Sequence, residues 1–284
     1  MATGKTPPGS MTRRALFVAG GVALLAACTH HPAEQATDAA HPAAAAHPAA
    51  EATRSAASPR ASTRLTRKEP AVTRPARTGP HAVGRGADGG ALPMTHVDDG
   101  RMAIALTIDD GPSPIYTPQV LRLLDKYQVT ATFSMIGLEV DANPAVAREV
   151  AAAGHVIANH TWSHPDLAYL PPAVIADQID RSFGAIHQVT GRVPTLFRAP
   201  YGAWSPAVFQ YCAQARMTPL DWSVDPRDWS RPGVAAIVGN IMRNTRTGSI
   251  ILEHDGGGNR AQTVAALKIV LPRLLDAGYH FVTP

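Results

Sequence analysis

Residues 101–112 read Arg-Met-Ala-Ile-Ala-Leu-Thr-Ile-Asp-Asp-Gly-Pro, and this stretch decides the fold. Its first eight residues alternate apolar positions, which predicts a β-strand. The strand runs directly into two adjacent carboxylates, Asp109 and Asp110, and a Gly-Pro turn. Two neighbouring carboxylates repel each other, so a buried pair requires a cation or a proton close by. Taken alone, the motif is also compatible with an exposed acidic turn before a helix.

Outward from this stretch, short β-rich runs alternate with helical stretches. Helices are predicted at 117–127, 144–153, 172–190, 206–216, 234–244 and 262–277, and further strands at 129–135, 155–158, 195–198, 218–223, 249–253 and 279–282. Strict alternation favours an α/β domain with a parallel sheet or barrel. In such barrels the chemistry lies on the loops that follow the carboxyl ends of the strands.

A pair of histidines follows the third predicted strand, in the segment Asn-His-Thr-Trp-Ser-His at 159–164. If this segment forms a helical turn, His160 and His164 present their rings on the same side, a spacing that suits metal ligation. A carboxylate from another strand end would complete a His₂–carboxylate set with open positions, typical of zinc or a divalent metal of similar preference. The same spacing also occurs on helices that bind no metal.

Three more polar clusters follow later strands: 198–202 (Arg-Ala-Pro-Tyr-Gly), 225–229 (Asp-Pro-Arg-Asp-Trp) and 252–255 (Leu-Glu-His-Asp). Individually they are compatible with a surface ion pair, a turn and a strand-end histidine. Five clusters at five strand ends are harder to explain as accident, because the carboxyl ends of parallel strands meet at one edge. The pattern therefore predicts one site built from all five.

These five motifs, in this order, resemble those of the polysaccharide deacetylases, carbohydrate esterase family 4 or NodB homology domain. The resemblance covers residues 101–284, with Ile108 and Ala199 in place of a commoner Phe and Pro. It implies a single distorted (β/α)7-type barrel at 97–284, preceded by a disordered tail.

The resemblance also implies a metal centre with a catalytic base. Asp110, His160 and His164 would hold a divalent metal, Zn²⁺ first, with Co²⁺ or another transition metal as alternatives. Asp109 would be the general base that takes a proton from the attacking water. Arg198 would pair with Asp109 and orient it.

The remaining implied roles concern the oxyanion, the leaving group and the substrate. The backbone N–H of Tyr201 would face the developing oxyanion, and this residue would also contact the substrate. His254 would be the general acid that protonates the departing amine, and Asp228 would hold His254 protonated. Trp229 and Leu252 would wall an apolar pocket for the acetyl methyl group.

The implied reaction is hydrolysis of an acetyl group from an N-acetyl amino sugar in a polymer, without a covalent acyl-enzyme. Peptidoglycan N-acetylglucosamine is the expected substrate, only because the N-terminal sequence predicts export to the cell wall. Deacetylation of chitin or an exopolysaccharide, or O-deacetylation of acetylxylan, stays open within the same family. A surface lipoprotein that binds glycan without turnover is the alternative from a different class.

The first 28 residues predict an export signal. Basic residues precede an apolar run from 15 to 27, which is too short to span a bilayer core of about 30 Å. The run ends in Leu-Ala-Ala-Cys and resembles a bacterial lipoprotein signal, with Cys28 as the lipidated residue. The Arg13-Arg14 pair also resembles a twin-arginine signal, and a cleaved secretory peptide or an uncleaved anchor are alternatives. Lipidation would hold the protein on the outer face of the cytoplasmic membrane, within the cell wall.

Residues 29–96 predict a disordered tether, because between 29 and 80 they contain 16 Ala and 7 Pro and only two larger apolar residues, Leu65 and Val72. The whole chain of 284 residues has a formal charge of +4, but residues 97–284 carry 15 basic and 17 acidic side chains. This balance argues against nucleic-acid binding. We expect a monomer, and Cys212 is expected to be a small buried residue.

Overall fold

The structure is a computed structural model that describes residues 84–85 and 91–284. The predicted signal peptide, Cys28 and most of the predicted tether lie outside the described residues. A two-residue antiparallel pair, β1 (Gly84–Arg85) and β2 (Ala91–Leu92), precedes the main sheet. Met94 and His96 form single bridges to Leu220 and Ser249, so the last residues of the predicted tether already pair with the domain.

The main sheet has seven parallel strands: β3 (Ala103–Asp109), β4 (Thr132–Met135), β5 (Val156–Asn159), β6 (Leu196–Phe197), β7 (Thr218–Pro219), β8 (Ile250–His254) and β9 (His280–Val282). The strand order is β7-β6-β5-β4-β3-β8, and β9 also pairs with β3. Beyond β7, Val224 forms a parallel bridge to Ile251 and accepts a hydrogen bond from Leu252 N at 2.9 Å. This contact brings the two ends of the sheet together, so the predicted α/β class with a distorted barrel is confirmed.

The helices are α1 (Thr117–Tyr127), α2 (Gly137–Ala142), α3 (Pro144–Ala152), α4 (Pro172–Thr190), α5 (Pro206–Gln214), α6 (Val234–Asn244) and α7 (Ala261–Asp276). Proline in the first turn of α1, α3, α4 and α5 loses no intrahelical hydrogen bond and fixes φ for the helix. Gly191, with φ 67°, ends α4 in the left-handed conformation that glycine tolerates best. No helix in the described part of the chain is long and apolar enough to cross a membrane.

Two apolar layers hold the sheet, and the alternation of β3 supplies both. Ile104, Leu106 and Ile108 belong to the core between sheet and helices, whereas Ala105 packs inside the curl with other small or aliphatic residues. The same alternation places Asp109 on the inner face, at the carboxyl end of the strand. Burial of Cys212 raises the pKa of its thiol to about 12, which agrees with the expected packing role.

Candidate active site

Three side chains from two loops form a compact metal-ligand set. Asp110 Oδ1 lies 3.5 Å from His160 Nε2 and 3.3 Å from His164 Nε2, and the three ligand atoms lie within 4.8 Å of one another. A tetrahedral zinc ion with bonds of about 2.0–2.1 Å separates neighbouring ligand atoms by roughly 3.4 Å. Asp110 Oδ1 is buried without a hydrogen-bond partner among the described residues, as expected of an oxygen that faces a cation. The residues present therefore fit a divalent metal.

The electrostatics of these ligands agree with this use. Burial opposes ionisation of Asp110, but the imidazoles of His160, His254 and His164 outweigh it and lower the pKa of Asp110 below its ordinary value. Burial, and then the neighbouring His160, lower the pKa of His164. The carboxyl group is thus ionised and the imidazole of His164 neutral, the forms that bind metal.

The backbone that presents the two histidines is a loop after β5, so the expectation of a helical turn is wrong. Thr161 and His164 have φ values of 67° and 59°, and these left-handed residues bring the ring centroids to 4.9 Å. Asn159 fixes the first bend, because its Oδ1 accepts from Thr161 N at 2.9 Å. Thr161 Oγ1 in turn accepts from His164 N at 3.0 Å. Side-chain hydrogen bonds to the local backbone therefore stabilise the loop that pairs the two histidines.

His160 is oriented by a second contact of its ring. Nδ1 lies 2.8 Å from the carbonyl oxygen of Arg198, to which it donates when that nitrogen is protonated. This contact leaves Nε2 free to face the metal position, the usual arrangement for a metal-bound histidine.

Arg198 connects the metal side of the site to the candidate base. Its guanidinium is fully buried, and Nη1 donates to Asp109 Oδ1 and to Thr107 Oγ1, both at 2.8 Å. Nη2 donates to the carbonyl oxygen of Asp221 at 2.8 Å. These bonds fix the buried Asp109 carboxylate, whose Oδ2 lies 3.9 Å from His160 Nε2.

The candidate acid lies beside the candidate base, because the β3–β8 register pairs His254 with Asp109. His254 Nδ1 bonds Asp228 Oδ1 at 2.7 Å, and the backbone N–H of His254 donates to Asp228 Oδ2 at 2.9 Å. Burial disfavours the imidazolium, but the hydrogen bond and charge of Asp228, helped by Asp110 and Asp109, raise the pKa of His254 to about 9. These carboxylates therefore favour the imidazolium form of His254.

Three further predicted residues lie beside residues of this site, in space or in the sequence. Tyr201 lies in a turn with φ 60°, its ring is 70% exposed, and it packs edge-on to His164 at 4.6 Å. The hydrogen bonds of this turn are donated by Gly202 and Ala203, not by Tyr201 N. Trp229 is 44% exposed beneath the guanidinium of Arg227 at 4.9 Å. Leu252 is buried in β8, two residues before His254, and so shares its face of the strand.

The sequence motifs did not indicate which residues hold the site's side chains and loops in place. Thr107 bonds Arg198, and Thr263 Oγ1 donates to Asp228 Oδ2 at 2.7 Å. Gly256 packs against the ligand loop so closely that a Cβ there would lie 1.9 Å from Asp110 O. The run of three glycines after the last motif was the available signal for this approach.

Fold and site together define a class: a parallel α/β barrel whose carboxyl-end loops form a His₂–carboxylate site flanked by an arginine-bound carboxylate and a carboxylate-bound histidine. Residues 96–220 match the family model described as polysaccharide deacetylase. A peptidoglycan-N-acetylglucosamine deacetylase of Bacillus cereus is 43% identical over 191 residues, covering 66% of this chain and 88% of the relative. A chitooligosaccharide deacetylase of Bradyrhizobium is 41% identical over 193 residues, covering 64% of this chain and 88% of the relative.

The solved structures agree with these relatives. A crystal structure of a peptidoglycan N-acetylglucosamine deacetylase superposes with a TM-score of 0.65 at 33% identity, covering 66% of this chain and 89% of that one. The chain belongs to the polysaccharide deacetylase family and is a hydrolase of that class.

Proposed function

We propose that this protein hydrolyses the acetamido group of N-acetyl amino sugars in a cell-wall polysaccharide, with peptidoglycan N-acetylglucosamine as the substrate. The observation that carries the proposal is the convergence of a metal-ligand triad, an arginine-bound carboxylate and a carboxylate-bound histidine in one site. A protein that binds glycan without turnover needs neither the arginine-bound carboxylate nor the carboxylate-bound histidine.

The chain's own residues divide the reaction between them. Asp110, His160 and His164 would hold a divalent cation, which would act as a Lewis acid and lower the pKa of the attacking water. Asp109 accepts a proton from that water, and Arg198 keeps its carboxylate in position.

Attack of the water on the acetyl carbonyl carbon gives a tetrahedral intermediate, and two groups then act on its oxygen and its nitrogen. The backbone N–H of Tyr201 donates to the oxygen that becomes negatively charged, a contribution of about 10²–10³ in rate for one such donor. His254 gives its proton to the departing nitrogen, which leaves as a free amine while the acyl carbon becomes acetate. Asp228 stabilises the imidazolium until that transfer.

The exposed rings of Tyr201 and Trp229 border the sugar that carries the acetamido group. Leu252 offers the apolar surface for its methyl group. Aromatic faces beside a polar centre suit a sugar ring, because its C–H face is apolar and its rim is hydroxylated.

The choice of peptidoglycan rests on the relatives and on the N-terminal sequence. The names of the relatives include both a peptidoglycan and several chitooligosaccharide deacetylases. We infer export by the segment 1–28, lipidation at Cys28 and a tether at 29–96, which carry the catalytic domain into the wall as a monomer. Chitooligosaccharide is the second candidate, favoured by the relatives' names.

Acetate release from peptidoglycan, N-acetylchitooligosaccharides and acetylxylan tests the proposal, with the zinc-loaded full chain and its Asp109→Asn variant side by side. We expect release from peptidoglycan by the wild type and a loss of orders of magnitude in the variant. Release from acetylxylan alone would instead identify an O-esterase. No release from any acetylated glycan would favour the non-catalytic binding protein.

A further inference from the structure

Glu253 is a buried carboxyl group that the proposed reaction leaves unused. It lies in β8 between Leu252 and His254, and none of its surface is exposed. Strand alternation turns it away from His254, onto the helix-facing side with Ile251 and its register partner Ile108, both of which belong to the apolar core. Neither of its oxygens has a hydrogen-bond donor among the residues that the structure describes. An ionised carboxylate in such a place would be costly.

The Asp228 carboxylate lies against the peptide bond that joins Glu253 to His254, because the N–H of that bond donates to Asp228 Oδ2 at 2.9 Å. At this distance the two carboxyl groups act on each other's pKa. Asp228 accepts three hydrogen bonds, from His254 Nδ1, His254 N and Thr263 Oγ1, at 2.7, 2.9 and 2.7 Å. Two neighbouring buried carboxyl groups cannot both be ionised without a large penalty. The charge stays on Asp228, where three donors stabilise it, and the proton stays on Glu253, which has none.

The other charged groups near Glu253 do not reverse this assignment. Asp225, in the loop before Asp228, adds a negative charge that favours the protonated form, and Arg260, at the start of α7, opposes it. Arg260 directs its guanidinium to carbonyl oxygens instead, from Nε to Gly256 O at 2.5 Å and from Nη1 to Trp229 O at 3.2 Å. Burial, followed by Asp228, raises the pKa of Glu253 well above its ordinary value.

We propose that Glu253 is a positioning residue that stays protonated at neutral pH and donates a hydrogen bond to Asp228, fixing that carboxylate against His254. The inference rests on the proposed role of His254 as the proton donor. A fourth donor on Asp228 withdraws charge from it, so Glu253 sets how strongly Asp228 holds the imidazolium. A neutral buried acid that serves as a hydrogen-bond donor is a known device of active sites.

Infrared difference spectroscopy of the zinc-loaded full chain against Glu253→Gln at neutral pH tests the protonation directly. We expect a carbonyl stretching band of a protonated carboxylic acid in the wild type that disappears in the variant. Asp255, another buried acid, is present in both proteins and cancels in the difference. A difference spectrum that shows carboxylate bands instead would overturn the proposal.

NMR titration of the His254 ring tests the coupling, in the same zinc-loaded proteins and without any turnover. Glu253→Gln keeps a neutral donor of similar shape, so the pKa of His254 should move by less than about half a unit. Glu253→Met removes the donor and should raise that pKa by up to about one unit, because Asp228 becomes the stronger acceptor. A fall of a unit or more in Glu253→Gln would mean that Glu253 is ionised, and no change in Glu253→Met would mean that it does not act through Asp228. Either result contradicts the inference while leaving acetate release, and so the proposed function, intact.

Discussion

At the scale of single residues, Asp109 and Asp110 show how environment separates two adjacent carboxylates. Asp109 ends a strand and bonds a buried guanidinium, whereas Asp110 has a left-handed backbone and faces two imidazoles. The sequence indicated that such a pair needs a positive partner, but it did not tell which partner serves which residue. Arg198 lies 89 positions from Asp109, so the pairing depends on the closed sheet.

This division of labour predicts different phenotypes for the two aspartates. Asp109→Asn should reduce kcat by about 10²–10⁴, because the base is lost, while the zinc Kd changes by no more than about tenfold. Asp110→Asn should weaken zinc binding much more strongly. Competition with a fluorescent chelator gives both affinities, and equal loss of zinc in the two variants would contradict the assignment.

The pH profile tests the His254–Asp228 pair. His254 donates its proton, so activity persists below its pKa and falls on the alkaline side. A bound cation offsets the contribution of Asp110, so the alkaline limb of kcat/KM should lie between about 6.5 and 9. Asp228→Asn removes the largest influence that opposes burial, so the limb should move to lower pH by about one unit or more. Asp177→Asn, on the exposed face of α4, serves as the control. If the alkaline limb of Asp228→Asn is unchanged, the group that titrates there is not His254.

At the scale of elements, strongly periodic segments were predictable and contact-dependent ones were not. The helices α1, α4 and α6 have the bounds that the sequence predicts, because local signals mark them: proline in the first turn of α1 and α4, glycine after α4, and the Pro-Gly pair 232–233 before α6. Helix α2 was missed, since six residues beginning with glycine give little periodic signal. Gly137 is there because a Cβ would lie 2.5 Å from the ring of Trp162, a contact between distant segments. The loop that pairs the two histidines combines its local bonds with contacts to α2, whose Gly137 N and Leu138 N donate to Thr161 O and Trp162 O at 2.9 Å.

The close packing of the glycine loop after β8 against the Asp109–Gly111 turn leads to a prediction about zinc binding. Gly256→Ala should push the Asp109–Gly111 turn away and weaken zinc binding, because the new Cβ would overlap the carbonyl group of Asp110. Gly184→Ala in α4 is the matched control, since its Cβ meets nothing within 4 Å. Isothermal titration with zinc should show a loss for Gly256→Ala alone. Wild-type affinity in Gly256→Ala would mean that the loop does not hold the ligand.

At the scale of the whole molecule, the metal site links two parts of the sheet. Its ligands follow β3 and β5, which are separated in the strand order by β4. A ligand that binds only the folded state stabilises it, by about 2.7 kcal/mol at a hundredfold excess over Kd. Fold class and residue identities of the site were predictable from ordered motifs, whereas the contacts that close the barrel were not, because single bridges such as Val224 with Ile251 leave no periodic signal.

Zinc should therefore raise the melting temperature of the protein, by roughly 5–10 °C at a hundredfold excess over Kd. His164→Ala removes one ligand from a partly exposed position and should lose most of the increase while keeping the fold of the metal-free protein. Differential scanning calorimetry with and without chelator makes the comparison. An equal zinc-dependent increase in wild type and His164→Ala would place the stabilising metal elsewhere.

The convergence of Asp110, His160 and His164 on one cation is best tested by anomalous diffraction from a zinc-soaked crystal, with data on both sides of the zinc absorption edge. We expect a single strong zinc peak that lies about 2.0–2.2 Å from one carboxylate oxygen of Asp110 and from Nε2 of each histidine. A zinc peak bonded to other side chains, or full zinc occupancy elsewhere with these three ligands empty, would contradict it.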